Sequence, residues 1–185
     1  NKSLTSPAKI SFTGEDCFCK TPPITHGDIP KEEITNIIQT ANNSKPIGDG
    51  FSAEVFRYKN FIIKKTKPQS DEYKLFHTGS QNQKEYLEIK EVEKINPDIT
   101  SKVHGLIEHN GDYLLVENYI SGVHPQNHHL TNEHIQDLLK KCYQMDSIGI
   151  QHCDLQNGNI FLVDDKTAKI IDFGSYHYIN EHGQV

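Results

Sequence analysis

The sequence predicts an α+β fold, with a strand-rich first part followed by a smaller, mainly helical second part. Two observations predict this. Short runs of β-branched and aromatic residues come in pairs joined by tight turns, and stretches with apolar residues at helical spacing lie between the pairs. The resulting order along the chain is helix, hairpin, helix, hairpin, linker, helix and hairpin.

The composition is that of an ordinary globular protein. The chain has 185 residues, of which 35% are hydrophobic and 24% charged, with a net charge of −6. Such an acidic balance predicts no nucleic-acid partner and no attachment to an anionic membrane, and no apolar run is long enough to cross a bilayer. The four cysteines and eleven histidines have irregular spacing, which favours reduced thiols and solvated imidazoles over a metal centre. We expect a monomer.

The chain divides into three parts. Residues 1–27 mix Ser, Thr, Pro and Gly and predict an extended N-terminal arm. Residues 28–119 contain two helices and two hairpins, and residues 120–185 contain a linker, one helix and a last hairpin.

Helical spacing predicts three helices. The first begins at Asp28, which can serve as its N-cap, and buries Ile34, Ile37, Ile38 and Ala41. The second ends at the sequence NPD, at Asn96–Asp98, and carries Tyr86, Ile89, Val92 and Ile95 at steps of three residues. The third begins after Thr131 and has apolar residues along one side, namely Ile135, Leu138, Leu139, Cys142 and Met145.

Three hairpins follow from strand-like runs on either side of turn residues. The turns are Lys59–Asn60, the sequence NGD at Asn110–Asp112, and the sequence DDKT before Ala168. In the last hairpin, Asp154 and Asn159 lie at the start of the first strand, and Asp172 follows the second. A hairpin brings its two outer ends together, so these side chains should meet at one edge. Two carboxylates and an amide oxygen are ligands that Mg²⁺ prefers, together with phosphate oxygens.

The same stretch resembles the signature of the protein-kinase superfamily. The signature is H-R-D-L-x-x-x-N followed by D-F-G. Here it reads His152, Cys153, Asp154, Leu155 and three further residues to Asn159, and then Asp172, Phe173 and Gly174. The resemblance extends over roughly residues 46–174.

Upstream residues extend the resemblance to a phosphate-binding loop. The sequence IGDGFSAEV matches the glycine-rich pattern at Gly48, Gly50 and Val55, with Ala53 in place of the third glycine. Glycine lets backbone N–H groups approach phosphates closely. The following FIIK corresponds to the kinase V-A-I-K motif. It implies that Lys64 binds the phosphates and that Ile62, on the same face of its strand, covers the adenine.

The resemblance implies further site residues. Lys64 needs an acidic partner on the next helix, for which Glu88 is the first choice and Glu85 the second. LLVENYISG resembles the segment that links the two kinase lobes, with Val116 as gatekeeper and backbone groups of Glu117 to Tyr119 facing adenine. Asp154 would accept the proton of the substrate hydroxyl, and Asn159 and Asp172 would hold Mg²⁺.

The implied architecture is a minimal bilobal kinase-like fold with a β-rich N-lobe, a reduced mainly helical C-lobe, and ATP between them. Only eleven residues follow Gly174, so either the sequence is a piece of a longer kinase or the kinase is unusually small. In its small size and short linker the chain is similar to the miniature kinases that bacterial pathogens inject by type III secretion, the HopBF family or the OspG and NleH group. That likeness implies a secreted virulence effector acting in the host cytoplasm on a host protein, with the ninety-kilodalton heat-shock chaperone as one candidate and Ser/Thr as acceptor.

Two departures from the kinase pattern keep other functions open. Cys153 replaces the arginine that reads an activation-loop phosphate, which predicts activity without such phosphorylation. Gln156 replaces the usual lysine, so part of the transition-state charge stabilisation is missing or supplied elsewhere. The alternatives are a small-molecule kinase or Bud-type ATPase, and a pseudokinase that binds nucleotide without catalysis.

Overall fold

The computed structural model describes residues 22–50, 53–67, 81–173 and 177–178. A six-stranded antiparallel sheet dominates this part, in the order β1-β5-β6-β4-β3-β2. Its strands are β1 (Ile24–Gly27), β2 (Gly48–Asp49), β3 (Ala53–Tyr58), β4 (Phe61–Thr66), β5 (Val103–His109) and β6 (Asp112–Asn118). Most of the predicted arm, the tip of the glycine-rich loop, residues 68–80 and Gly174 lie outside the described residues.

Three α-helices accompany the sheet: α1 (Ile34–Asn43), α2 (Gln81–Ile95) and α3 (Asn132–Asp146). Short 3-10 turns occupy Lys31–Glu33, Pro125–Asn127 and Asn157–Asn159. None of the helices in these described ranges is long and apolar enough to cross a membrane. The predicted α+β class is confirmed.

Within the described ranges, the central sheet has one helix on each face. On one face, Ile63 and Val116 pack with Ile37 of α1 in a buried cluster. On the other face, Leu106 and Leu115 pack with Ile89 and Val92 of α2. The α2-side cluster continues into the second part of the chain and includes Ile170 and Phe173. The sheet face toward α2 is therefore the one on which the two parts of the molecule meet.

The turns between strands explain the hairpin register. Asn110 and Gly111 have φ of 53° and 82°, as a two-residue turn that matches the twist of the strands requires. Lys59 also has a positive φ, of 53°. Both predicted hairpins are confirmed, and β4 brings them together by pairing with β6.

The beginning of the described chain differs from the prediction. Residues Ile24–Gly27, the end of the predicted arm, form β1 and pair with β5. The backbone N–H of Asp28 then donates to His104 O at 2.7 Å. Asp28 thus continues the strand pairing instead of capping α1, and helical structure begins only after Pro30, whose ring disfavours a helical residue before it.

The second part of the molecule consists of α3 and the hairpin of β8 (Ile160–Leu162) and β9 (Ala168–Ile170). Two further short strands, β7 (Ile150–Gln151) and β10 (His177–Tyr178), pair beside them. Thr131 caps α3 as predicted and forms a capping box with His134.

The buried side of α3 is more polar than predicted. Leu138 and Met145 are buried as expected, but Ile135 and Leu139 are 44% and 52% exposed. In their place His134 and Lys141 are buried, because the hairpin offers them carbonyl oxygens: His134 Nε2 donates to Asp164 O at 2.6 Å and Lys141 Nζ to Ala168 O at 2.6 Å.

Candidate active site

Lys64 lies near the end of β4, on the face of the sheet that meets α2 and the last hairpin. Strand alternation places Lys64 and Lys65 on opposite faces, as predicted, since Lys65 donates to Asn42 Oδ1 of α1 at 2.9 Å. Lys64 is buried, and its Nζ donates to Glu85 Oε1 at 2.5 Å. A charged pair of this length in a buried site is a strong, directional contact.

The acidic partner of Lys64 is Glu85, which corrects the prediction of Glu88. Both residues lie on the inner face of α2, one turn apart. The rotation of α2 is fixed by Asn82, whose Nδ2 donates to Lys64 O at 2.7 Å and to Tyr113 O at 2.6 Å. These two bonds place the N-terminal turns of the described helix against β4, so Glu85 reaches the lysine.

Glu88 is fully buried, and neither of its oxygens has a hydrogen-bond partner among the described residues. Burial raises the pKa of this carboxyl to about 9, with a further contribution from the charge of Glu85. Glu88 is therefore neutral at physiological pH and has no charge to offer Lys64.

Lys64 is surrounded by more negative charge than it can balance. Besides Glu85, Asp172 Oδ1 lies 3.6 Å and Glu117 Oε2 4.0 Å from its Nζ. Burial opposes the charge on Lys64, but the carboxylates of Glu85, Glu117 and Asp172 together raise its pKa. The ammonium group stays protonated, and the surplus of carboxylates favours the arrival of a cation.

The residues of the catalytic-loop motif meet as predicted. Asn159 Nδ2 donates to Asp154 O at 2.9 Å and to Asp154 Oδ2 at 3.0 Å. Gln156 Nε2 donates to the same Oδ2 at 3.2 Å. Two side-chain amides therefore orient the Asp154 carboxylate, and Gln156, which sequence reasoning saw only as a missing lysine, contributes one of them.

Asp172 is held close by through the backbone. Ile171 N donates to Asn159 O at 2.9 Å, and His152 Nε2 donates to Ile171 O at 2.8 Å. Asp172 itself has a φ of 66°, in the left-handed region that Asp adopts more readily than most residues other than glycine. Phe173 is buried against the ring of His152, with centroids 4.9 Å apart.

The described ends of the predicted phosphate loop belong to β2 and β3, and β3 lies beside β4. Gly48 pairs with Val55, which in turn pairs with Lys64. Residues directly opposite each other on antiparallel strands point to the same side, so Val55 and Lys64 share the α2 face. Gly50 N donates to Ala53 O at 3.0 Å and closes the loop, and a Cβ at Gly50 would lie 3.3 Å from that oxygen.

The structure corrects the gatekeeper. Val116 pairs with Ile63 and is buried in the cluster around α1, on the face away from Lys64. Glu117 pairs with Ile62, and its side chain points toward Lys64. The prediction of Val116 was wrong by one residue, which in a strand means the opposite face.

Tyr119 follows β6, and its backbone N–H donates to Asn60 O at 2.7 Å. The backbone N–H of Tyr119 is therefore not available to hydrogen-bond with a nucleotide base. The guanidinium of Arg57 lies 3.7 Å from the centre of the Tyr119 ring, which holds the aromatic side chain over β3. A contact between Tyr119 and a nucleotide would have to come from its carbonyl or its ring.

The side chains at this site supply only some of the oxygen ligands that Mg²⁺ requires. Among the described residues, no group of three or more His, Cys, Asp and Glu is arranged to hold a metal. The Nδ2 of Asn159 is committed to Asp154, which leaves its Oδ1, and the Asp172 side chain is 46% exposed. An amide oxygen and one carboxylate fit a Mg²⁺ ion that completes its shell with water and phosphate oxygens.

Residues 98–185 match the ABC1 atypical kinase-like domain. The fold is protein-kinase-like. The matched range begins just after α2, and it contains Asp154, Asn159 and Asp172, whereas Lys64 and Glu85 precede it. No match is found among curated proteins.

The kinase-like site was therefore largely visible in the sequence, with two exceptions. Glu85 was named only as the second choice for the partner of Lys64, and Glu117 was named for its backbone groups and not for its carboxylate. For Glu117, the alternation that placed Lys64 inward could have placed its side chain too, once the pairing of β4 with β6 was known.

Proposed function

We propose that this kinase-like chain is a Mg²⁺- and ATP-dependent phosphotransferase that acts on side-chain hydroxyl groups of proteins. One observation supports the proposal above all. Lys64, already paired with Glu85, lies 3.6 Å from Asp172, and Asp172 follows β9 beside the start of β8, where Asp154 and Asn159 lie. A phosphate-binding cation and a catalytic carboxylate are thus assembled within one site.

Each residue has a distinct role in this proposal. Lys64, held by Glu85, would bind phosphate oxygens of ATP as a fixed positive charge. Asp154 would accept the proton of the attacking hydroxyl, with its carboxylate aimed by Gln156 and Asn159. General-base assistance of this kind is worth about 10²- to 10⁴-fold in rate.

Asn159 Oδ1 and the carboxylate of Asp172 would hold Mg²⁺. The ion would neutralise charge on the phosphates and so reduce their repulsion by the carboxylates around Lys64. The left-handed backbone of Asp172 and the hydrogen bond from Ile171 N to Asn159 O keep these two ligands on neighbouring strand ends.

The test is phosphoryl transfer by matched variants of the full chain. Lys64→Ala should lower the rate by roughly 10²-fold because it removes the buried cation. Lys65→Ala, one residue along the same strand and facing α1, should leave the rate unchanged. Asp154→Asn should abolish measurable transfer, whereas Asp165→Asn, in the turn at the other end of the hairpin, should not. Equal rates for Lys64→Ala and Lys65→Ala would refute the proposal.

A protein substrate, and Ser/Thr as the acceptor, belong to the same proposal. They are supported by the intact Asp172-Phe173-Gly174 motif and the glycine-rich loop. The resemblance to secreted effector kinases supports a monomer delivered into a host cell, with the ninety-kilodalton heat-shock chaperone as candidate substrate. Incubation of that chaperone with the protein, Mg²⁺ and ATP, followed by mass spectrometry, should identify a phosphorylated Ser or Thr. An unmodified chaperone would contradict this part.

A second candidate function is phosphoryl transfer to a small molecule or simple ATP hydrolysis. The match to an atypical kinase-like domain is compatible with either acceptor. Radiolabelled ATP in a eukaryotic lysate separates the two: labelled protein bands support a protein kinase, and label confined to small molecules or free phosphate supports the second. A pseudokinase, suggested by Gln156 in place of lysine, would show neither but would still bind nucleotide.

A further inference from the structure

Glu117 carries a buried carboxyl group that the roles given above do not use. Its side chain is 7% exposed, and none of its side-chain oxygens hydrogen-bonds to another described residue. Lys64 is its nearest ionic neighbour, at 4.0 Å, but Lys64 is closer to Glu85 and Asp172. A carboxyl in so buried a place gains from a hydrogen-bond donor, which a ligand in the cleft would supply.

The surroundings of Glu117 show how poorly the protein itself satisfies it. Burial raises the pKa of this carboxyl to about 7, against the opposing effect of Lys64, and the negative charges of Glu85 and Asp172 add to the rise. Every charged neighbour except Lys64 is a carboxylate. The carboxyl therefore lacks an N–H donor, and a donor on a ligand would supply it.

The position of Glu117 in the sheet indicates which part of a ligand it meets. It lies opposite Ile62 in the pairing of β4 with β6, two positions from the Lys64–Leu115 pair and therefore on the same face. Lys64 marks the phosphate end of the proposed nucleotide cleft, and Ile62 is the residue expected to cover the base. Glu117 is thus on the cleft face, next to Ile62, at the end of β6.

We propose that Glu117 determines base specificity by accepting a hydrogen bond from the exocyclic amino group of a 6-aminopurine. This inference rests on the proposed function, because it assumes that the cleft binds a nucleotide. Adenine carries an amino donor at position 6, where hypoxanthine and guanine carry a carbonyl oxygen. A carboxylate attracts the donor and repels the carbonyl, whereas an apolar side chain would do neither.

The test measures dissociation constants of the full chain for Mg-ATP and Mg-ITP at pH 8, where the Glu117 carboxyl is ionised. These nucleotides differ only at position 6 and the adjacent ring nitrogen. The wild type should bind ATP at least about tenfold more tightly than ITP, as one charge-assisted hydrogen bond predicts. Glu117→Gln, whose amide can donate to a carbonyl oxygen, should reduce that preference about tenfold.

Controls separate this inference from loss of structure. Glu108→Gln, on the neighbouring strand β5, should keep the wild-type preference. A second measurement, on the wild type and on Glu117→Leu, uses purine riboside triphosphate, which has only hydrogen at position 6 and adds no bulk. It should bind about tenfold more weakly than ATP, and in Glu117→Leu the two should bind alike.

The outcomes distinguish the two proposals. If the wild type binds ATP but does not distinguish it from ITP or purine riboside triphosphate, the role of Glu117 is wrong and the proposed function stands. An unchanged preference in folded Glu117→Gln has the same meaning. If the wild type binds no nucleotide at all, the proposed function fails and the role of Glu117 fails with it.

Discussion

At the scale of single residues, the arrangement of the site depends on which carboxyl groups lie closest to the Lys64 ammonium. Glu85, Asp172 and Glu117 lie at 2.5, 3.6 and 4.0 Å from its Nζ, while Glu88, on the same helix face, is uncharged. Glu85, at the shortest distance, is the structural partner of Lys64, and Asp172 and Glu117 are left available to ligands. Substitutions at Glu85 and Glu88 should therefore have different effects, although the two residues are one helical turn apart.

We expect Glu85→Gln to lower the rate of phosphoryl transfer by about tenfold or more, since it replaces a charge-assisted hydrogen bond with a neutral one. Glu88→Gln should stay within about twofold of the wild type. Steady-state kinetics with Mg-ATP would measure both, and Glu91→Gln, on the exposed side of α2 beside Lys94, is the control. A loss in Glu88→Gln as large as in Glu85→Gln would mean that Glu88 pairs with the lysine after all.

Glu88 should also make stability depend on pH. Its carboxyl keeps a proton in the folded protein up to about pH 9, whereas in the unfolded chain it ionises near its usual value. Folded protein thus binds more protons, and the stabilisation present at low pH is lost as pH rises through about 9. Between pH 7.5 and 8.5, above the pKa of Glu117, the free energy of unfolding should fall by at most about 1.4 kcal/mol per pH unit.

Urea unfolding of wild type and Glu88→Gln at several pH values would check this. The variant has no group to ionise at position 88. Its free energy of unfolding should therefore fall less steeply with pH than that of the wild type, and the difference in slope is the contribution of Glu88. Parallel curves for the two proteins would show that Glu88 is not a buried neutral acid.

At the scale of elements, an ion pair within α3 binds the backbone of the β8–β9 hairpin. Lys141 Nζ donates to Asp137 Oδ2 and to Ala168 O, both at 2.6 Å, and Ala168 N donates to the same Asp137 oxygen at 2.9 Å. Lys141 is nearly inaccessible, whereas a quarter of the Asp137 side chain is exposed. The two partners should therefore differ in what their removal costs.

Asp137→Ala should destabilise the protein by about 3–5 kcal/mol, because it leaves a buried ammonium group without a counter-charge. Lys141→Met should cost less, about 1–2 kcal/mol, since the methionine can fill the space and Asp137 can be hydrated. Chemical unfolding of both variants gives the comparison. A larger loss in Lys141→Met would show that packing, and not the buried charge, dominates this contact.

The same scale shows how far sequence reasoning reaches. Strand alternation placed Lys64 and Ile62 correctly because a period of two depends on the strand alone. The choice between Glu85 and Glu88 depends on how α2 is rotated, which Asn82 sets through carbonyls of β4 and β6.

The buried side of α3 shows the same limit. Ile135 and Leu139 were predicted on that side. Lys141 and His134 occupy it instead, because a hairpin distant in sequence offers them hydrogen-bond acceptors.

The catalytic-loop residues were predicted best, since one hairpin brings Asp154, Asn159 and Asp172 together by local geometry. The gatekeeper was predicted worst. Counting from the motif put Val116 in the cleft, but the pairing of β6 with β4 turns that residue toward α1. Contacts between strands or helices that are distant in the sequence could not be predicted from the local sequence pattern.

At the scale of the whole molecule, the cleft joins two bodies of structure through charged groups. Lys64 and Glu117 come from the six-stranded sheet, and Asp172 from the end of the last hairpin. A bound nucleotide with Mg²⁺ would contact both sides. Binding to the folded form alone would raise its stability, by about 2.7 kcal/mol at a ligand concentration one hundred times Kd.

We therefore expect Mg-ADP to raise the melting temperature of the wild type by several degrees. ADP with EDTA should give a much smaller shift, since its phosphates would then meet the carboxylates around Lys64 without a compensating cation. Thermal unfolding followed by circular dichroism measures both. Asp172→Ala should lose the difference between Mg²⁺ and EDTA, and a shift that ignores Mg²⁺ in the wild type would argue against a metal-dependent site.

The side chain of Asn82 has a mechanical consequence. Its amide fastens α2 to two strands at once, through the carbonyls of Lys64 and Tyr113. Any motion that swings the helix outward must break both bonds in a buried setting, as well as the ion pair of Glu85. If the proposed function holds, displacing this helix to inactivate the protein would require breaking all three contacts.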